Sequence, residues 1–472
     1  MDAIRKNDRM GESRIEQDTM GPVKVPADVY WGAQTQRAIE NFPISGWRFS
    51  PEFIKVMGWI KGAAAEVNME LGLLDRRRGR AICNSSREVA ALRWNDQFPV
   101  DIFESGSGTS IHMNVNEVIA NRANKILSAA HGPPHPVHPN DHVNLGQSSN
   151  DVVPTCIHIV AAEALEKRLI PALLRLRRSL YGKARQFGNV LTIGRTHLQD
   201  AAPVSLGKVF AGYACMVDQA LKRLRSSQSF LMELALGGTA VGTGINAHPR
   251  FAAAVIRRLR RLSGLPLREA KNHFAAQGAQ DAVVQAGTAV KSVAITLLKI
   301  ADDIRWLGSG PRGGIGVLSL PAVQPGSSIM PGKINPVIAE SLIQVCAQVI
   351  GHEAAIAYAG ALGHFELQTM LPMMAYNLFQ SIDILSSAAA NFAHRCVSGV
   401  RADRRRCREL LERNLAAATA LVPRVGYDTA AAIAQEAQRR GKTIREVVLE
   451  KNLLPADELE RLLDPWKMAG RR

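Results

Sequence analysis

The stretch VVQAGTAVKSVAITLLKIADDIRWL, residues 283–307, decides the fold class. Apolar residues occupy nearly every face of the helix it would form, so that helix must be enclosed by neighbours on several sides. Its Ala and Gly residues let those neighbours come close. The helical segment that contains it runs from 276 to 307, and four further segments are long and weakly punctuated in the same way: 155–187, 203–233, 337–360 and 367–394. Together the five imply a mainly α protein built on a helical bundle. One protomer's five helices would struggle to surround one another, whereas several bundles packed together would do so readily, and a homo-oligomer is expected. Around this central region, residues 149–398, lie an amino-terminal lobe and a carboxy-terminal lobe. The first, 1–148, mixes short helices with loops and carries the Pro-rich run GPPHPVHPND at 132–141. The second, 399–472, is charge-rich and helical, with Gly441 and Pro455 as breaks.

The chain has 472 residues, of which 46% are hydrophobic and 21% charged, enough for a large core divided among two or three lobes. Aromatic residues make up only 5% while Ala and Leu abound, which favours helix-on-helix packing. Cys83, Cys156, Cys215, Cys346, Cys396 and Cys407 form no CxxC pair and read as reduced thiols of a cytosolic protein. The beginning, MDAIRKNDRMGESRIEQD, has no apolar core of a signal peptide, and no charge-free run reaches the ~18 residues of a membrane span. Lys and Arg number 58 against 42 Asp and Glu, a net charge of +16. The basic clusters, Arg76–Arg78, Arg257–Arg261 and Arg404–Arg406, are dispersed and lack interleaved aromatics that could stack bases, so solvated helix faces explain them better than nucleic acid does. A positive field of this kind speeds the arrival of a small dianion.

Four polar clusters interrupt the apolar pattern. The segment GSSIMPGKINP, 326–336, places Ser327 and Ser328 near the tip of a glycine-flanked loop, with Lys333 and Asn335 offering an ammonium and an amide suited to a carboxylate. An ordinary surface loop is the plain alternative. In SGSGTSIHMNVNE, 105–117, Ser107 and Thr109 alternate with glycines, exposing amides and hydroxyls that could bind an anion or merely form a turn. In GQSSNDVVPT, 146–155, Ser148, Ser149, Asn150 and Asp151 precede a long helix; a cap needs only one such residue. GRTHLQDA, 194–201, brings together Thr196 and His197, the latter being the side chain best suited to proton transfer near neutral pH, although the motif by itself favours a satisfied structural histidine.

The clusters supply many neutral donors, one Lys and one His, without a metal-ligand spacing such as HExxH or a nucleotide fingerprint, so neither metal nor cofactor is expected. They suit a small polycarboxylate. Removal of a proton beside a carboxylate is a plausible chemistry, because surrounding donors can stabilise the enolate-like dianion that forms. Serine is a poor base unless backbone amides and Lys333 stabilise its alkoxide.

GSSIMPGKINP resembles the signature of the fumarase and aspartase superfamily, and the resemblance runs from Ser13 to about Gly470. It implies three mostly helical domains, a twenty-helix core in a homotetramer, and active sites each assembled from three subunits. By the same resemblance Ser327 is the base for the C3 proton, and His197 with Glu340 forms the acid side. Ser107, Thr109, Ser148, Ser149, Asn150, Thr196, Ser328, Lys333 and Asn335 are the implied substrate-binding positions. His138, Asn140 and Asp141 of VHPND are similar to a second, non-catalytic carboxylate site.

Both main branches are represented. SGSGT, VHPND, SSND, ELALGGTAVGTG (233–244), DIRWLGSGPR (303–312) and GHFEL (363–367) resemble class II fumarase. RAIENFPIS (37–45), DQFPVDIF (96–103), Ser110, VQPGSS and IREVVLEKNLL (444–454) resemble aspartase. Ser149, where aspartases usually carry Thr, and His138 point to the fumarase branch. Val317 and Gln324 depart from a common Glu, His112 from Asn, Ala275 from Glu, and His135 from a basic residue. The expected reaction is reversible hydration of fumarate to L-malate. The alternatives are deamination of L-aspartate, a lyase reaction on another succinyl substrate, and a catalytically silent or nucleic-acid-binding role.

Overall fold

The structure, a computed structural model, describes residues 12–128 and 136–470; His135 lies outside the described residues. An antiparallel hairpin of β1 (Ser13–Asp18) and β2 (Gly21–Pro26) is followed by α1 (Ala33–Asn41), α2 (Pro51–Glu70), α3 (Arg76–Ala90) and α4 (Thr109–Ser128). α5 (Ser149–Ala164) leads through one wider turn into α6 (Ile170–Gln186), and the hairpin of β3 (Leu191–Thr196) and β4 (Gln199–Ser205) leads into α7 (Leu206–Gln228). α8 (Phe251–Ser263), α9 (His273–Gly278), α10 (Asp281–Leu307), α11 (Val337–Gly360) and α12 (Leu371–Asn391) follow. The chain closes with α13 (Arg404–Glu412), α14 (Val422–Val425), α15 (Tyr427–Arg440), α16 (Ile444–Glu450), α17 (Ala456–Leu462) and α18 (Pro465–Met468).

The five long helical segments are all present, with shifted ends. The first starts at Ser149 rather than 155, because Ser148 and Asp151 form a capping box that accommodates Pro154 inside the helix. The segment expected over 276–307 is broken between α9 and α10. At Gly278 the backbone passes so close that a Cβ would lie 2.6 Å from the Phe365 carbonyl oxygen, and Ala279 turns extended. Residues 203–205 belong to β4, and the amino-terminal part contains two helices of 20 residues, α2 and α4, longer than the short helices expected there.

Contacts group the chain into two compact units. The first comprises Met1–Leu169, Arg223–Lys291 and Gln348–Asp383. Its core surrounds α2, which packs on α3, α5 and α8 with Phe53, Ile54, Met57 and Ile60 fully buried. α2 starts there because Ser50 accepts the Phe53 amide (3.3 Å) and Pro51 needs no partner for a missing N–H. The buried Glu117 carboxylate of α4 takes the amides of Gly32, Gln34 and Thr35 at 2.9–3.1 Å, tying the start of α1 to α4.

The second unit comprises Ile170–Lys222, Ser292–Ala347 and Ile384–Arg472. Within it the final residues build their own apolar cluster from Leu421, Ile433, Ala437, Ile444, Val447, Val448 and Leu459. Gly441 closes α15 in a left-handed conformation, and Pro455 precedes α17.

α10 and α11 are long and apolar enough to pass a length-and-composition test for membrane spans. A Lys291–Glu353 ion pair links them inside the first unit. Ile295 of α10 (52%) and Tyr358 of α11 (69%) remain exposed in the single chain. All six cysteines are free, five of them buried, and Cys215 is exposed. The basic clusters are partly paired along helix faces, Arg258 with Glu66 and Glu70, and Arg405 with Glu409.

Two consequences are measurable. Glu117→Ala leaves three buried amides without their acceptor and lowers folding stability by on the order of 3 kcal/mol, read as a fall in melting temperature. Burial holds His112 and His158 below the ordinary 6.5, so the folded chain keeps them neutral while the unfolded chain takes up protons. Their stabilisation is therefore present above about pH 6.5 and lost as pH falls below it. A melting-temperature profile from pH 7.5 to 5 should decline, less steeply in His112→Asn.

Candidate active site

In the first unit, two of the polar clusters meet. The SGSGT turn requires glycine where it passes α12's lead-in: a Cβ on Gly106 would lie 1.9 Å from the Thr369 carbonyl oxygen, and Gly108 has φ +76°. Thr109, at the start of α4, then joins its hydroxyl to Ser107 (2.8 Å) and to Ser149 (2.9 Å). Ser149 continues to the Asn150 side-chain oxygen (3.3 Å), and Asn150 donates to the Ala240 carbonyl (2.7 Å). The result is a chain of neutral donors spanning 107, 109, 149 and 150, at the amino ends of α4 and α5, where backbone dipoles favour negative charge.

Each end is fixed from behind. Ser148 is the cap of α5: its hydroxyl accepts the Asn150 amide (3.2 Å), and Asp151 returns a bond from the Ser148 amide (2.9 Å). The other oxygen of Asp151 accepts the amides of Gly237 (2.9 Å) and Thr239 (3.0 Å), within ELALGGTAVGTG. At α4, half-buried Glu104 accepts from the Ser105 hydroxyl (2.7 Å) and the amides of Ser110 (3.1 Å) and Ile111 (3.3 Å). Burial raises the Glu104 carboxyl above its usual value against these bonds. Glu104 stands outside the residues that the polar clusters single out; an acid shortly before a helix start was its available signal.

The VHPND segment forms a short turn, Pro139–Val143, in the first unit. His138 caps it, its Nδ1 accepting the Asp141 amide (3.2 Å) and lying 3.3 Å from the Asp141 carboxylate, with both side chains solvent-accessible. Asn140 reaches the Met113 sulfur at 3.8 Å.

In the second unit, Ser327 sits in the 326–336 loop with its hydroxyl facing two backbone amides, those of Ile329 (3.2 Å) and Met330 (2.9 Å). Donors so placed favour the ionised form of an oxygen acid. The loop base is pinched: Gly326 donates to the Lys333 carbonyl (2.8 Å), and Asn335 donates to the Gly326 carbonyl (2.6 Å). Gly326 is required there sterically, since a Cβ would lie 2.7 Å from the Lys333 oxygen, and Gly332 by its φ of +78°. Ser328 and Lys333 are exposed beside it.

Thr196 and His197 occupy the tip of the β3–β4 hairpin, also in the second unit, and are exposed. His197 (φ 56°) and Leu198 (φ 61°) are both left-handed, a two-residue turn usually made by Asn-Gly. Glu340 lies in the first turn of α11. Among the described residues no hydrogen bond joins His197 to Glu340 within one chain.

The departures noted in sequence have distinct settings. Val317 is fully buried, Gln324 and Ala275 are exposed, and His112 is buried beside Lys61.

The first unit thus gathers neutral hydroxyl and amide donors at two helix amino ends, and the second carries a serine facing two backbone amides on a glycine-bounded loop. Comparison with known proteins names the family. The family described as Lyase matches residues 21–351, and that described as Fumarase C C-terminus matches residues 418–470. The chain is 49% identical over 456 residues to "Fumarate hydratase class II 2" of Bradyrhizobium diazoefficiens, covering 97% of this chain and 96% of that one. It is 48% identical over 459 residues to "Fumarate hydratase class II" of Nitrosomonas europaea, covering 97% and 99%. The crystal structure of recombinant class II fumarase from Schistosoma mansoni superposes with a TM-score of 0.94 at 36% identity, covering 97% of this chain and 99% of that one. The chain therefore belongs to the fumarase and aspartase superfamily of lyases.

The hairpin tip gives a direct stability test. Leu198 is 70% exposed and left-handed, so Leu198→Gly relieves about 1–2 kcal/mol of backbone strain against about 0.5–1 kcal/mol of added unfolded-chain entropy. A modest rise in melting temperature is expected, and Leu198→Val should lower it.

Proposed function

We infer that this chain is a class II fumarate hydratase, interconverting fumarate and L-malate. The observation that carries the reading is the end-to-end likeness to proteins named fumarate hydratase class II, at 48–49% identity with 96–99% of each relative covered. The geometry of Ser327 adds to it.

In the mechanism Ser327, its alkoxide supported by the Ile329 and Met330 amides and by Lys333, removes the C3 proton of L-malate. The aci-carboxylate dianion that results is held by Lys333, Asn335 and the donor chain of Ser107, Thr109, Ser149 and Asn150, with Ser148, Thr196 and Ser328 completing the binding set. His197, paired with Glu340, assists departure of hydroxide from C2 as water, anti to the proton removed. Neither a metal nor a cofactor takes part in this scheme. By the family resemblance His197 and Glu340 pair between protomers of a homotetramer, each active site drawing on three of them. The half-exposed Ile295 and the exposed Tyr358 of the two most apolar helices supply surface for that assembly. His138, Asn140 and Asp141 form a second carboxylate site without a catalytic role. The three lobes, 1–148, 149–398 and 399–472, correspond to the family's domains, and the protein works in the cytoplasm, apart from nucleic acid and membrane.

Fumarate absorbs in the ultraviolet, so the purified protein should generate that absorbance from L-malate and not from L-aspartate. Absorbance from L-aspartate alone would make it an aspartate ammonia-lyase, and none from either substrate would remove both assignments. Ser327→Ala should lower kcat on the order of 10²–10⁴-fold with the oligomer intact by size-exclusion chromatography.

A further inference from the structure

We propose that Lys61 is a positioning residue of this active site, a buried ammonium that ties together the two segments carrying its hydroxyl donors and adds a positive charge at their junction. The inference rests on the fumarate hydratase reading and extends it to a residue outside every polar motif of the sequence.

Lys61 lies on α2 and is fully buried. Its Nζ meets His112 Nε2 at 2.6 Å, Asn144 Oδ1 at 3.0 Å and Gln147 Oε1 at 3.0 Å. His112 stands three residues after Thr109 on α4, on the same helical face, and Gln147 directly precedes Ser148 and Ser149. One side chain from a third element thus grips the two elements whose hydroxyls meet at Thr109 and Ser149.

The amide groups are oriented by their own donors: Asn144 Nδ2 goes to the Gln147 carbonyl (3.2 Å), and Gln147 Nε2 goes to the Val143 carbonyl (3.1 Å). Both side-chain oxygens therefore face Lys61. With neutral His112 carrying its proton on Nδ1, its Nε2 is a third acceptor, and the three match the three hydrogens of the proposed ammonium. Burial pulls Lys61 well below the ordinary lysine range, and the three acceptors oppose that pull. Asp151, whose negative field favours the charged form of Lys61, is committed to three backbone amides. A buried cation without a carboxylate in contact favours a dianion bound to the adjoining donors.

Gln147→Glu separates charge from bracing, because it keeps shape and contact while setting a carboxylate against the ammonium. With the full-length oligomer, KM for fumarate should rise about threefold to tenfold while kcat stays within about twofold and the melting temperature does not fall. Lys61→Met removes both contributions, and its KM should rise at least as far with kcat also reduced. A Gln147→Glu enzyme with KM within twofold of the parent overturns the proposal whatever Lys61→Met does, including failure to fold. Absence of fumarate turnover in the parent would instead overturn the functional reading.

Discussion

The candidate site depends on how the amino ends of α4 and α5 are satisfied. A helix leaves its first amides without partners, and a buried helix start must find acceptors for them. Here Glu104 serves α4, while Ser148 and Asp151 serve α5. Because those residues take the capping duty, Ser107, Thr109 and Ser149 keep hydroxyls that bond mainly to one another. Asp151 also holds the 237–239 backbone, on which Asn150 in turn leans through the Ala240 carbonyl.

Much of this was legible in the sequence. The helical bundle followed from apolar residues around every face of 283–307, while of the four polar residues in SSND the cap takes two, Ser148 and Asp151, and Ser149 and Asn150 join the hydroxyl chain. The break between α9 and α10 was hidden, because Gly278 there answers to a carbonyl some 87 residues further along the chain, and no local pattern encodes that approach. The same holds for Lys61. It sits in an apolar helix in a run, WIKGAAAEV, that reads as packing, and only its three distant acceptors reveal a buried ammonium. The hairpin at His197 was masked by turn residues, His-Leu, that seldom adopt left-handed backbone. The tip holds an exposed histidine on left-handed backbone.

The strongly basic composition takes on a specific sense. Much of the surplus is spread over helix faces with acidic partners, as at Arg258 and Arg405, and adds a long-range field rather than a docking patch. Lys61 inside the first unit is different: it is a single buried cation beside neutral groups, a setting in which charge is poorly screened.

The central claim is that Ser327 exchanges one particular proton at C3. Running fumarate hydration in deuterium oxide and reading the L-malate by proton NMR tests it most directly. The account requires one deuterium at C3, in a single diastereotopic position, formed by the parent protein and lost in Ser327→Ala. Deuterium scrambled over both C3 positions, or stereospecific labelling undiminished in Ser327→Ala, would contradict it.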